Sequence, residues 1–168
     1  MPVCLNVGCH DIHIEGFINV DIDPAMKPEL VADARTLSTV VEPNSVDFIY
    51  CGHLLEHFSV SDSILVAKEM LTVLRPYGTL CCVVPDFRKA AKMHIDQAQY
   101  AIIADGCHKR LYDEDSLRQS LLDAGFGTVV NTVTQQMGYC PFKEVEWQSA
   151  CVAIKHTQAI FKFLPIIH

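Results

Sequence analysis

One glycine and two carboxylates, spaced along residues 5–23, give this chain its best-defined chemistry. The stretch reads Leu-Asn-Val-Gly-Cys-His-Asp-Ile-His-Ile-Glu-Gly-Phe-Ile-Asn-Val-Asp-Ile-Asp. An apolar run, Val3 to Val7, breaks at Gly8, and a second, Phe17 to Val20, ends at Asp21 and Asp23. A glycine turn after a strand lets backbone approach a ligand closely, and a carboxylate after the next strand accepts ribose hydroxyls. The pattern suits a nucleoside. A second cluster, His53-Leu54-Leu55-Glu56-His57, spells the inverted zinc-peptidase pattern H-x-x-E-H. On a helix, His53 and His57 would share one metal, with Glu56 as base. The cluster follows the strand-like run Val46 to Tyr50, however, so residue 53 falls at a strand–helix turn. Local hydrogen bonds are therefore expected of Glu56 and His57, and no metal.

These residues need a sheet to bring them together. Apolar runs with turn signals between them occur at residues 3–7, 17–20, 46–50, 79–84, 127–133 and 149–155, with a shorter one near Leu30 to Ala32. Several are continuously apolar, as strands buried on both faces must be. Two segments have helical spacing. Leu65, Val66, Met70, Val73 and Leu74 share one predicted face before Pro76 and Gly78 stop the helix. Leu117, Leu121, Leu122 and Ala124 precede Gly125, with Asp113 and Ser116 as candidate caps. Strands alternating with helices predict a doubly wound α/β fold with a mostly parallel sheet and an antiparallel last strand. One link is unusual. Only Gly8 to Gly16 join the first two strands, where a parallel crossover normally takes a dozen residues or more, so this crossover must be shortened.

The 168 residues predict a single domain, 1–168, able to bury close to ~70% of its unfolded surface. Half the residues are apolar (50%) and 20% are charged, a globular composition. A net charge of −7 argues against a nucleic-acid backbone as partner. No apolar run reaches the ~18 residues of a membrane span, and the N-terminus lacks the parts of a signal peptide. Of eight cysteines, Cys4, Cys81, Cys82 and Cys151 sit inside predicted strands, and no Cys-x-x-Cys pair occurs. Free thiols, a reducing cytoplasmic setting and no structural zinc are expected.

Several blocks in order resemble the class I S-adenosylmethionine-dependent methyltransferases, in particular a small type-11-like group with a Leu-Asn-x-Gly-Cys-Gly opening. They are Leu5-Asn6-Val7-Gly8-Cys9, Phe17-Ile18-Asn19-Val20-Asp21 and Val31-Ala32-Asp33-Ala34-Arg35. Ser45-Val46-Asp47-Phe48-Ile49-Tyr50, His53-Leu54-Leu55-Glu56-His57-Phe58, Leu74-Arg75-Pro76-Tyr77-Gly78 and the Leu117 to Phe126 segment follow. The resemblance spans residues 4 to 135. It implies the Rossmann-like methyltransferase fold and S-adenosylmethionine as cofactor. Gly8, with Cys9 and residue 10 beside it, would face the amino-acid part of that cofactor. Asp21 would bind both ribose hydroxyls as a charge-assisted acceptor. Asp33 would accept the adenine amino group, with the Ala34 backbone alongside. Cys51, Gly52 and His53 would border the transferred methyl.

Two positions depart from the family pattern. His10 stands where glycine is expected: its imidazole could block the site, swing outward, bond the cofactor carboxylate, or be a plain surface histidine. Tyr77 stands where a type II turn with proline at its second position wants glycine or asparagine, so a change of turn type is expected there. His94, His108 and His156 show no ligand spacing and are expected at the surface. Asp86, after Pro85, is a candidate substrate contact or a cap for a helix starting at Phe87.

The function implied is methyl transfer from S-adenosylmethionine to a small-molecule or glycan acceptor, with His53 as the candidate base. The alternative is a non-catalytic methyltransferase-fold binding protein whose loop is altered at His10. A nicotinamide-dependent oxidoreductase is disfavoured by the absence of a full G-x-G-x-x-G. The segment Arg88 to Lys109 is the expected substrate lid. The apolar tail Phe161 to Ile167 would cover the sheet or meet a second copy in a homodimer.

Overall fold

A computed structural model describes residues 1–93, 106–132 and 147–157. Among them, seven strands form one sheet: β1 (Cys4–Val7), β2 (Ile18–Asp21), β3 (Leu30–Val31), β4 (Val46–Gly52), β5 (Leu74–Pro85), β6 (Thr128–Thr132) and β7 (Gln148–Ile154). Their order is β3-β2-β1-β4-β5-β7-β6. Strands β1 to β5 pair in parallel, and β7 runs antiparallel to both β5 and β6. This is the doubly wound, mostly parallel arrangement that the apolar runs predict. The continuous apolar strands serve two layers. Ile49, Cys51, Leu80 and Cys82 enter one buried cluster, while Tyr50, Cys81 and Val83 enter another on the opposite face.

The helices α1 (Val60–Val73), α2 (Phe87–Ala90) and α3 (Glu114–Ala124) frame the larger cluster and the end of β5. Ser59 caps α1 by accepting the Asp62 N–H. Asp113 and Ser116 form a reciprocal capping box on α3, and Gly125 ends it with φ 107°. Both expected caps therefore act together. The inward face of α1 differs from the expected one. Ser63, Val66, Ala67, Met70 and Val73 are buried, Leu65 is 42% exposed, and Leu74 already belongs to β5. Leu65 falls outside the three- and four-residue spacing that Val66, Met70 and Val73 set.

The short first crossover contains no helix. Side-chain hydrogen bonds do a helix's work. Buried Asn6 donates from Nδ2 to the Ile12 carbonyl at 2.8 Å and to Asn19 Oδ1 at 2.9 Å. Asn19 Oδ1 also accepts the Ile14 N–H at 2.9 Å. Ile14 and Phe17, from the same link, pack on the second cluster beside Phe48.

Tyr77 overturns the expected change of turn type. Its φ is 63°, the sign a glycine would supply, and its N–H reaches the Lys155 carbonyl at 2.7 Å. Pairing to the end of β7 holds the backbone in place despite the side chain. His94, the middle of the expected lid, the last residue of the 127–133 run and the apolar tail lie outside the described residues.

Candidate functional site

Beyond the C-terminal ends of the parallel strands lies a cleft of about 470 Å³, including its open mouth. Val7 and Gly8 line it from the end of β1, Asp21 and Ile22 from β2, and Ala32 to Arg35 from β3. Leu54 and Phe58 close it from the segment after β4. The strand order reverses between β1 and β4, which is where an open α/β sheet leaves its binding crevice.

Gly8 has φ 75°, and its N–H donates to the Val20 carbonyl at 2.8 Å. A Cβ built there would stand 2.8 Å from Leu54 Cδ1. Only glycine combines that backbone with that approach. Asp21 is spent partly on its own loop: Oδ2 accepts the His10 N–H at 2.8 Å and Oδ1 the Asp23 N–H at 3.0 Å. Each oxygen keeps a second lone pair for a ligand hydroxyl.

His10 takes φ 46° and so keeps the left-handed backbone expected of glycine. Its ring turns outward, 73% exposed, with Nδ1 2.8 Å from Asp11 Oδ1. That hydrogen bond lifts the imidazole pKa above the usual histidine value. Of the open readings for His10, the outward one is observed, and the ring does not line the cleft. Cys9 is buried beneath it, with Sγ directed at the His10 carbonyl. Burial pushes the Cys9 thiol up to about 11.

Asp33 caps the 3-10 turn Ala34–Thr39 by accepting the Arg35 N–H at 2.9 Å. Arg35 also grips the same carboxylate, Nη2 lying 2.6 Å from Oδ2, and this holds the Asp33 pKa below the usual carboxylate value. Ala34 is buried against the cleft. Arg35, Leu54 and Phe58 line the cleft without having been singled out from sequence. All three lie within blocks already noted, one or two positions from residues that were.

Cys51 sits differently from the other expected site residues. It is fully buried among core residues and does not line the cleft. Strand β4 continues to Gly52, so alternation turns the Cys51 side chain into the helix-covered layer, against Cys82. The seven described cysteines are free thiols.

His53 follows β4 with φ 53°, its N–H bonded to the Val83 carbonyl. Its Nδ1 lies 3.2 Å from Glu56 Oε1, Nε2 meets the side-chain amide of Gln148, and the ring packs edge-on to Trp147. It does not line the cleft. Asp86 is a cap, as one of its two readings holds: buried, it accepts the Arg88 and Lys89 N–H groups and the Ser149 hydroxyl at 2.6 Å.

The H-x-x-E-H segment is no helix. A single 3-10 turn, Leu55–His57, carries it, so His53 and His57 do not share a face. Glu56 keeps a local side-chain contact, Oε1 lying 3.2 Å from His53 Nδ1 three residues back, without the geometry of a hydrogen bond. Its carboxylate is 1% exposed and accepts no hydrogen bond among the described residues. The His57 bond is long-range, Nδ1 lying 3.3 Å from the Cys107 carbonyl. His108, expected alone at the surface, is half-buried, its ring centroid 5.0 Å from that of His57.

A family model described as a methyltransferase domain matches residues 8–130. The chain belongs to that family of methyltransferase domains. Among solved structures it is similar to a SAM-dependent methyltransferase of Archaeoglobus fulgidus, at 15% identity and TM-score 0.68, covering 92% of this chain and 86% of that one. A SAM-dependent methyltransferase of Thermotoga maritima is similar at 15% identity and TM-score 0.68, covering 92% and 82%. A Nostoc punctiforme protein assigned as an O-methyltransferase is similar at 15% identity and TM-score 0.67. That match covers 92% of this chain but 52% of the Nostoc one, so the chain spans about half of that relative's length. At such identities these likenesses establish the fold. No curated protein sequence matches the chain. No helix among the described residues is long and apolar enough to cross a membrane.

Proposed function

We propose that this chain transfers a methyl group from S-adenosylmethionine to a small-molecule or glycan acceptor. The observation that carries the reading is the shared cleft. Gly8, Asp21 and Asp33 leave three consecutive parallel strands and line one space. A nucleoside with a charged tail fits their chemistry. Gly8 carries no Cβ to collide with Leu54 at the cleft wall, Asp21 offers acceptor-only oxygens to vicinal hydroxyls, and Ala32, Ala34, Leu54 and Phe58 supply apolar walls for a base. Asp33 would take the exocyclic amino group in exchange for one of the bonds by which Arg35 now holds both its oxygens.

When bound, the sulfonium cofactor supplies an already activated methyl. The chain has to orient the methyl toward the acceptor and keep water out. Nothing in this step requires a base for an acceptor that arrives nucleophilic. His53, with both ring nitrogens engaged, is not needed for it. A non-catalytic reading draws on Asp33, whose two oxygens Arg35 already holds.

Calorimetric titration of the full chain with S-adenosylhomocysteine tests the proposal. Micromolar binding is expected, and Asp21→Ala should weaken it by about 1.5–3 kcal/mol through loss of a charge-assisted bond. No binding at millimolar ligand would overturn the cofactor assignment and favour the non-catalytic reading. Binding that Asp21→Ala leaves unchanged would remove Asp21 from the site.

A further inference from the structure

We infer that Glu56, His57 and His108 form a binding site for a divalent transition metal of the zinc type. The ligand-capable atoms of these three side chains lie within 4.8 Å of one another. The inference stands apart from the methyl-transfer reading, because none of the three lines the cleft.

Glu56 carries the argument. A carboxylate taken out of water needs a cation or hydrogen-bond donors. This one is 1% exposed, and neither oxygen accepts a hydrogen bond among the described residues. The adjacent group is His53 Nδ1, 3.2 Å from Oε1, which carries charge only when protonated. A metal shared with His57 and His108 would add a second cation to a carboxylate that now meets only His53 among the described residues.

The surrounding bonds orient the other two ligands. His57 Nδ1 donates to the Cys107 carbonyl, which leaves the Nε2 lone pair for a metal. Metal-bound histidines usually hold their second nitrogen this way. The Glu56 carbonyl accepts the Lys109 N–H at 2.8 Å and the Arg110 N–H at 3.1 Å. Those bonds fix the segment bearing His108 against the turn bearing His57. Zinc–ligand bonds of about 2.0–2.2 Å require the donors, now within 4.8 Å of one another, to close in on the ion. Two imidazoles and one carboxylate suit zinc better than calcium or magnesium, which prefer oxygen ligands. Three protein ligands leave one position open, as in catalytic rather than structural zinc sites. The H-x-x-E-H motif thus supplies its Glu and second His, while the third ligand comes from elsewhere in the chain.

The full chain, stripped with a chelator and dialysed, is titrated with zinc chloride by calorimetry and with cobalt by visible absorption. One zinc per chain is expected, with the ligand-field bands of low-coordinate cobalt. His57→Asn and His108→Asn should each weaken zinc by at least about a hundredfold, since outer-shell partners alone are worth about ten- to a hundredfold. Circular dichroism checks that each variant folds, and His57→Gln or His108→Gln replaces one that does not. Cys107→Ser should bind zinc as the wild type does. Substoichiometric zinc, wild-type affinity in both histidine variants, or loss of binding in Cys107→Ser alone would each overturn the site.

Discussion

On the β1–β3 side of the cleft, Asp21 accepts two backbone N–H groups and Asp33 a guanidinium held by several bonds. Beyond β4, Glu56 is more deeply buried than either and accepts nothing among the described residues. The two regions sit at the same edge of one sheet, yet they treat a carboxylate in opposite ways. The first is pre-organised: its carboxylates are held by hydrogen bonds before a ligand arrives. The second holds its carboxylate beside a single imidazole, His53, without a hydrogen bond, and it is there that the metal is proposed.

The strongest way to break the comparison acts where the regions touch. Gly8→Ala places a Cβ 2.8 Å from Leu54 Cδ1 on a backbone with φ 75°. A stability loss of about 2 kcal/mol is expected from the left-handed backbone and the contact together, with weaker binding of S-adenosylhomocysteine. Thermal denaturation and titration measure both; an unchanged melting temperature would mean that Leu54 yields freely. Glu56→Gln sharpens the contrast through its dependence on metal. In metal-free protein, loss of a buried carboxylate and loss of its contact with His53 oppose each other, and a change of less than about 1 kcal/mol is expected. Addition of zinc should raise the melting temperature of the wild type and not that of the variant. The smallest effect is expected at His10. Glycine there relieves a left-handed residue but adds freedom to the unfolded chain, and the exposed pair with Asp11 contributes little. His10→Gly should change both stability and cofactor affinity by less than about 0.5 kcal/mol, and a large gain in affinity would show that the imidazole does obstruct the cleft.

The fold was legible because its signals are local and repeated. Continuous apolar runs mark strands buried on both faces, and Asp113, Ser116 and Gly125 mark the ends of α3. Gly8, Asp21, Asp33 and Ala34 were legible as a set for a similar reason, since each ends or follows a short strand. The layer that the Cys51 side chain enters depends on β4 running two residues past the apolar run, to Gly52. Burial faces depend on register, which apolar runs alone do not fix. Glu56, His57 and His108 could not be joined from sequence, because the last lies about fifty residues on and only tertiary hydrogen bonds bring it back. The Asn6–Asn19 pair stood in plain view within two recognised blocks, but nothing in its spacing says that it replaces a helix.

That pair gives the first crossover the character of a ruler. A helical connection can lose or gain a residue by shifting its loops, whereas residues 8–17 are pinned by Asn6 and Asn19 and have no loop to spare. A deletion of one residue there would drag β2 along by one position and turn Asp21 to the opposite face of the sheet. The chain length between Gly8 and Asp21 is thereby metered. A change of length between Asn6 and Asn19 is therefore expected to cost more than a single substitution such as histidine at position 10.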